Sequence, residues 1–90
     1  MSATLAVRHT VADYAAWRTV YDDLDSLRTE YGCTGEQVLR DPADANDLFI
    51  THSFPSVDQA VGYANDARLK DGMQSAGVTS APRIEILEVV

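Results

Sequence analysis

Between Val11 and Gly32 the chain reads VADYAAWRTVYDDLDSLRTEYG, and the spacing of its large residues constrains everything around it. Tyr14, Trp17, Tyr21, Leu24 and Tyr31 recur at steps of three, four and seven, and Val20 and Leu27 widen the stripe. This is the apolar face of an amphipathic helix. Asp13 offers the N-cap oxygen, and Gly32 is the residue that most readily turns the chain out of the helix. The stripe holds the only Trp and three of the four Tyr. Each of those rings carries a polar atom that wants a partner when buried. A sheet covered by this helix acquires a lining of rings with hydrogen-bonding tips.

The flanking segments supply that sheet. Thr4 to Thr10 alternates Leu5, Val7 and His9 against Ala6, Arg8 and Thr10, which predicts a strand with one histidine at the end of its apolar face. Thr34 to Arg40 reads as a second strand near an edge, and Leu48 to Phe54 as a third. In the third, Leu48, Ile50, His52 and Phe54 share one face and Phe49, Thr51 and Ser53 the other. The cluster Asp41 to Asp47 between them predicts a turn and hence a hairpin. Ser56 with Gln59 three residues later is a capping box, opening a helix from Val57 with Ala60, Val61, Ala64 and Ala67 inward. Asn65-Asp66 breaks or re-caps it, giving a short helix through Leu69 and Met73 that ends at Gly77, and Arg83 to Val89 is the last strand. The order β-α-β-β-α-β in one domain, residues 1–90, predicts an α+β fold: a four-stranded antiparallel sheet with helices on one face.

Size and charge bound the partners. A chain of 90 residues buries only roughly 60–65% of the surface it exposes unfolded, so oligomerisation is a natural supplement. The uncovered sheet face is expected to carry Ala6, Arg8, Phe49, Thr51, Val38, Leu87 and Val89, which is too apolar for a wet surface and predicts a homodimer packed sheet to sheet. A net charge of −7 argues against nucleic acid and anionic membrane. The single cysteine, Cys33, precludes an intrachain disulfide and reads as a packing residue. No apolar run approaches the ~18 residues of a membrane span and no signal-like segment opens the chain, so a cytoplasmic protein is expected.

The short first strand ending in His9, the Asp13-Tyr14-Ala15-Ala16-Trp17 helix opening, the hairpin, and the segment Leu69 to Val78 followed by Pro82 together resemble the dimeric α+β-barrel superfamily. Within it the chain is similar to the antibiotic-biosynthesis-monooxygenase-like and small cyclase-like proteins of bacteria. The resemblance implies ferredoxin-like protomers whose sheets meet in a barrel, with a ligand cavity between each sheet and its own helices. It does not choose an activity, because such a fold serves cofactor-free monooxygenases, haem-degrading enzymes, cyclases, isomerases and stress proteins alike.

Residue types narrow the chemistry further. His9 and His52 fall on the helix-facing side of adjacent strands, and aligned midpoints would place His9 opposite about Phe49 and His52 opposite about Ala6. They then stand about three residues, or ~10 Å, apart. That spacing, and the lack of further Cys or His, predicts no metal site. His52 is the preferred general base, with His9 second. Trp17, Tyr21 and Tyr63 as a set would hold a flat ring, while Arg40 is a further substrate-binding candidate that could instead pair with an acid, as could Arg8. Asp22, Asp23 and Asp25 read as a solvated face. The expected function is a small enzyme without cofactor, of monooxygenase or cyclase type, acting on an aromatic or polyketide-like metabolite. The alternatives are a non-catalytic small-molecule-binding or stress-response dimer, and an interaction domain with a filled core.

Overall fold

In the computed structural model, which describes residues 2–90, eight elements follow one another. They are β1 (Ala3–Thr10), α1 (Tyr14–Asp23), α2 (Asp25–Glu30), β2 (Gly35–Asp41), β3 (Asp44–Phe54), α3 (Val57–Ala64), α4 (Ala67–Ser75) and β4 (Arg83–Glu88). The four strands form one antiparallel sheet in the order β2-β3-β1-β4. This is the α+β arrangement expected from the element order, with β1 and β3 in the middle.

The first helix starts where the sequence says. Asp13 is extended (φ −153°) and its carboxylate accepts the Ala16 N–H at 3.2 Å. It does not run unbroken to Gly32, however. At Leu24 (φ −87°, ψ 4°) the chain leaves α1 and re-enters helix as α2. Acidic Asp22 and Asp23 crowd the end of α1, where the helix dipole disfavours them, whereas Asp25 sits in the first turn of α2, where it is favoured. Gly32 (φ +83°) then makes the left-handed exit.

The hairpin is tighter than the dense run of turn formers suggests. Only Pro42 and Ala43 form the turn, with the Asp41 carboxylate accepting the Ala43 N–H at 2.8 Å. Asn46 and Asp47 continue β3 because their side chains have partners there. Asn46 Oδ1 accepts the Tyr14 N–H, and Asp47 takes both Arg8 Nε and Nη2, at 2.8 and 2.9 Å. The pairing of Arg8 with an acid across the sheet is thus realised.

Ser56 caps α3, its hydroxyl accepting the Gln59 N–H. The Gln59 side chain takes the Ser56 hydroxyl proton and donates to the Tyr31 carbonyl, tying α3 to the end of α2. α3 turns Ala60 and Tyr63 inward, so Val61 is exposed, against the sequence expectation. Asp66 re-caps the chain into α4 and also accepts the Tyr31 hydroxyl at 2.7 Å.

Core side chains fall on the helix-covered face. Register pairs Leu5 with His52 and His9 with Leu48, one step from the expected alignment. The two histidines therefore stand four residues apart along the strands, roughly 13 Å. Register also pairs Glu36 with His52 and Val38 with Ile50, which puts Glu36, Val38 and Arg40 on the helix-facing side. Val38 therefore does not belong to the open face: the alternation of β2 is one residue out of phase with the expectation. The open face carries Ala6, Arg8, Leu39, Phe49, Thr51 and Leu87, with Leu39 and Leu87 exposed.

Candidate active site

A cavity of about 50 Å³ lies between the covered sheet face and helices α1, α3 and α4. Its floor is Leu5, Val7, His9, Ile50 and His52; Trp17, Tyr21 and Tyr63 wall it, and Leu69, Gly72 and Met73 of α4 close it. Five of the six residues singled out from sequence thus meet around one space. Arg40 does not line it. Its guanidinium lies 5.5 Å from the Tyr14 ring centre, on the far side of the aromatic row.

The rings form a continuous series. Tyr14 stacks on Trp17, Trp17 on Tyr21 at 4.8 Å between centres, and Tyr21 on His52 at 5.9 Å. Tyr63 meets His52 edge to face at 5.5 Å, and Trp17 meets His9 likewise at 6.0 Å. Helical spacing produces this row, since Tyr14, Trp17 and Tyr21 stand one turn apart along α1. Such offset and edge contacts are worth about 0.5–1.5 kcal/mol each beyond area burial.

The two histidines are equally buried, each 4% exposed, and differ in their partners. His52 Nε2 lies 2.9 Å from the Tyr21 hydroxyl, which also reaches Glu36 Oε2 at 3.0 Å. Among the described residues, His52 Nδ1 has no hydrogen-bond partner, and His9 has none at either nitrogen. Burial, reinforced by the positive charge of Arg28, pushes His52 down to about 4. Burial alone lowers His9. Both rings are therefore neutral at neutral pH. Burial also raises the phenols of Tyr21 and Tyr63, against the pull of Arg28.

Arg28 stands beside this cluster of rings, and sequence reading missed it. It is 2% exposed, its guanidinium 3.9 Å from the centre of the Tyr21 ring. Its Nε stands 2.9 Å from Glu36 Oε2, at ion-pair distance but without hydrogen-bond alignment, and Nη1 has no hydrogen-bond partner among the described residues. A guanidinium over an aromatic face, with Glu36 beside Nε and Asp25 Oδ1 3.7 Å from Nη2, is a workable way to bury a cation. The signal was present: Arg28 lies seven residues after Tyr21 and four after Leu24, on the stripe itself. Glu36 was hidden by the same phase error that displaced Val38. Among the described residues, no group of three or more His, Cys, Asp or Glu is placed to hold a metal ion.

Fold and site together define a ferredoxin-like α+β protein with a ring-lined cavity between its sheet and helices. Solved structures of the same architecture cover nearly the whole chain. A candidate antibiotic biosynthesis monooxygenase from Caulobacter crescentus CB15 superposes with a TM-score of 0.79 at 20% identity, over 99% of this chain and 90% of that one. A cofactor-independent oxygenase from Streptomyces nogalater, SnoaB, gives 0.80 at 14% identity, over 99% and 93%. A further candidate antibiotic biosynthesis monooxygenase, from Bordetella bronchiseptica, gives 0.80 at 14%, over 99% and 97%. The chain therefore has the fold of the antibiotic-biosynthesis-monooxygenase-like proteins. No family model and no curated protein matches its sequence.

Proposed function

We propose that the protein is a cofactor-independent monooxygenase of homodimeric barrel type, acting on an aromatic or polyketide-like carbon acid or phenol held in the cavity. The observation that carries this reading is His52: a buried, neutral imidazole in an aromatic wall, with one nitrogen tied to Tyr21 and the other unpartnered. Such a ring is available as a general base at neutral pH. His9 is the second candidate. Trp17, Tyr21 and Tyr63 hold the substrate ring, and Arg40 lies outside this arrangement. The likeness to SnoaB supports the general type, and exposed Leu39 and Leu87 on the open sheet face support pairing of two copies there.

Magnitudes restrict the substrate. Moving a proton from an ordinary phenol, near 10, to a histidine at about 4 is uphill by roughly 8 kcal/mol. The substrate is therefore an activated acid whose anion spreads over several rings or carbonyls, and the Arg28 charge that depresses His52 favours that anion. The X–H bond breaks with its electron pair left on the substrate, and the proton goes to His52. The carbanion then reacts with dioxygen. In net terms a CH2 carbon becomes C=O, and the second oxygen atom leaves as water with both hydrogens.

The test uses an anthrone, whose methylene is such an acid, and reads oxygen uptake. One dioxygen consumed per anthrone by the wild type and a loss of roughly 100-fold or more in His52→Gln are expected. Uptake unchanged by the substitution overturns His52 as the base. A second reading, an interaction domain with a filled core, is favoured by one observation. The cavity of about 50 Å³ is well below the ~300 Å³ of a ligand pocket, so a ring-sized ligand has to widen it. Native mass spectrometry of a dimer with no retained ligand, together with no oxygen uptake, would select that reading.

A further inference from the structure

The Tyr21 hydroxyl has two neighbours and one proton. Glu36 Oε2 stands 3.0 Å away and His52 Nε2 2.9 Å away. An ionised carboxylate accepts and cannot donate, so only one assignment satisfies all three groups. The hydroxyl proton goes to Glu36, and the phenol oxygen accepts a proton that His52 must carry on Nε2. The reverse assignment points an oxygen lone pair at a carboxylate and forfeits a charge-assisted hydrogen bond. Arg28 Nε, 2.9 Å from the same Glu36 oxygen, holds the carboxylate where the hydroxyl meets it.

We propose that Glu36, acting through the Tyr21 hydroxyl, fixes His52 as its Nε2–H tautomer and leaves Nδ1 as its basic nitrogen. Tyr21 and Glu36 are positioning residues for the base; the catalytic consequence, though not the tautomer, rests on the function proposed above. A carboxylate on β2, with 37% of its side chain exposed, thereby decides which nitrogen of a buried ring can take a proton. When Nδ1 is protonated, the dipoles from Nε2–H through the hydroxyl to Glu36 are already aligned to stabilise the imidazolium. Nothing has to reorient.

The experiment is a long-range proton–nitrogen correlation spectrum of the protein with 15N-labelled histidine, without ligand, at neutral pH. A His9→Phe sample separates the two rings. In the wild type the Nε2–H form of His52 should exceed the Nδ1–H form by roughly ten-fold or more. Tyr21→Phe should remove most of that preference. The double variant Arg28→Met/Glu36→Val replaces the ion pair by apolar groups, a change proteins often tolerate. There the Tyr21 hydroxyl has only His52 left to donate to, and the tautomer should invert to Nδ1–H. A merely structural role for Glu36 would not move this signature. Predominant Nδ1–H in the wild type, or persistent Nε2–H in the double variant, overturns the proposal. The spectrum is read without substrate, so a failed oxygen-uptake test removes the catalytic reading and leaves the tautomer result standing.

Discussion

The core divides into two apolar clusters that share the same central strands and are filled differently. In one, Ala3, Leu5, Leu27 and Phe54 pack with Ala60 and Tyr63 of α3. In the other, Val11, Trp17, Tyr21, Leu48, Ile50 and Ala76 gather under α1 and the end of α4. Phe54 and Leu48 are both fully buried, so strand positions are used equally well in each. The helices differ. α3 buries a tyrosine and an alanine, whereas α4, ARLKDGMQS, has no fully buried residue and offers Leu69, Gly72 and Met73 only partway. The cavity is where α4 fails to fill the sheet, and the histidine with no partner, His9, lies on that side. A polar helix laid over an apolar sheet face leaves room; a helix that inserts a ring does not.

The largest expected effect tests this contrast directly. Phe54→Ala removes a completely buried ring from the filled cluster and should cost about 3–5 kcal/mol in urea denaturation. Met73→Ala truncates a half-buried side chain beside existing space and should cost about 1 kcal/mol, since few contacts are lost. Equal costs would mean that the space under α4 is packed as tightly as the cluster around Phe54.

Acid should expose the seam between the clusters. His52 sits at about 4 in the folded protein, against an ordinary value of 6.5. Between those two values the unfolded chain binds the proton and the folded chain does not, so stability falls as pH drops from about 6.5 toward 4 and levels off below. At about 1.4 kcal/mol per pH unit the loss is roughly 3 kcal/mol. Burial pushes His9 in the same direction, adding to the slope. His52→Phe should flatten most of the pH dependence of the urea midpoint over this range; an unchanged slope would assign it elsewhere.

A smaller effect of opposite sign separates the histidines themselves. His9 holds two buried nitrogens without partners, and an unsatisfied buried donor costs about 1–3 kcal/mol. His9→Phe keeps a ring edge-on to Trp17 and should stabilise the protein by about 1 kcal/mol, read from the same denaturation curves. His52→Phe at neutral pH should give no such gain, because it removes a ring hydrogen-bonded to Tyr21. A gain confined to His9 marks it as a residue kept for something other than stability.

Much of this was legible beforehand. Alternation in β1 and β3 put both histidines on the covered face, and the caps at Asp13 and Ser56 located two helix starts. What was not legible followed from two physical facts. Period-two reading of β2 has no internal phase marker when Glu36, Val38 and Arg40 alternate with Gln37 and Leu39, so only pairing with β3 decides which set faces the helices. A polar residue on an apolar stripe is normally read as a gap, yet Arg28 is buried because the Tyr21 ring and Glu36 receive its charge. Both misses fell on the residues that tune His52, where local rules are most often broken.

The smallest expected effect on stability bears most directly on how the cavity opens. A Cβ built on Gly72 would stand 2.9 Å from Leu24 Cδ1, a flexible tip that can yield. Alanine also gains about 0.8–1 kcal/mol of helix propensity over glycine. Gly72→Ala should therefore change stability by less than about 1 kcal/mol. In contrast, a Cβ on Gly62 meets the Tyr31 ring at 2.8 and 3.2 Å, and that ring is anchored through its hydroxyl to Asp66. Gly62→Ala should cost about 1–3 kcal/mol as overpacking against a fixed neighbour. If α4 is the wall that moves to admit a ring, Gly72→Ala must alter ligand uptake while leaving the melting temperature nearly unchanged, because it changes the α1–α4 contact and little else. Ligand uptake unchanged by alanine at 72 would place the opening elsewhere in the cavity wall, where Val20 and Ala64 are also only partly buried.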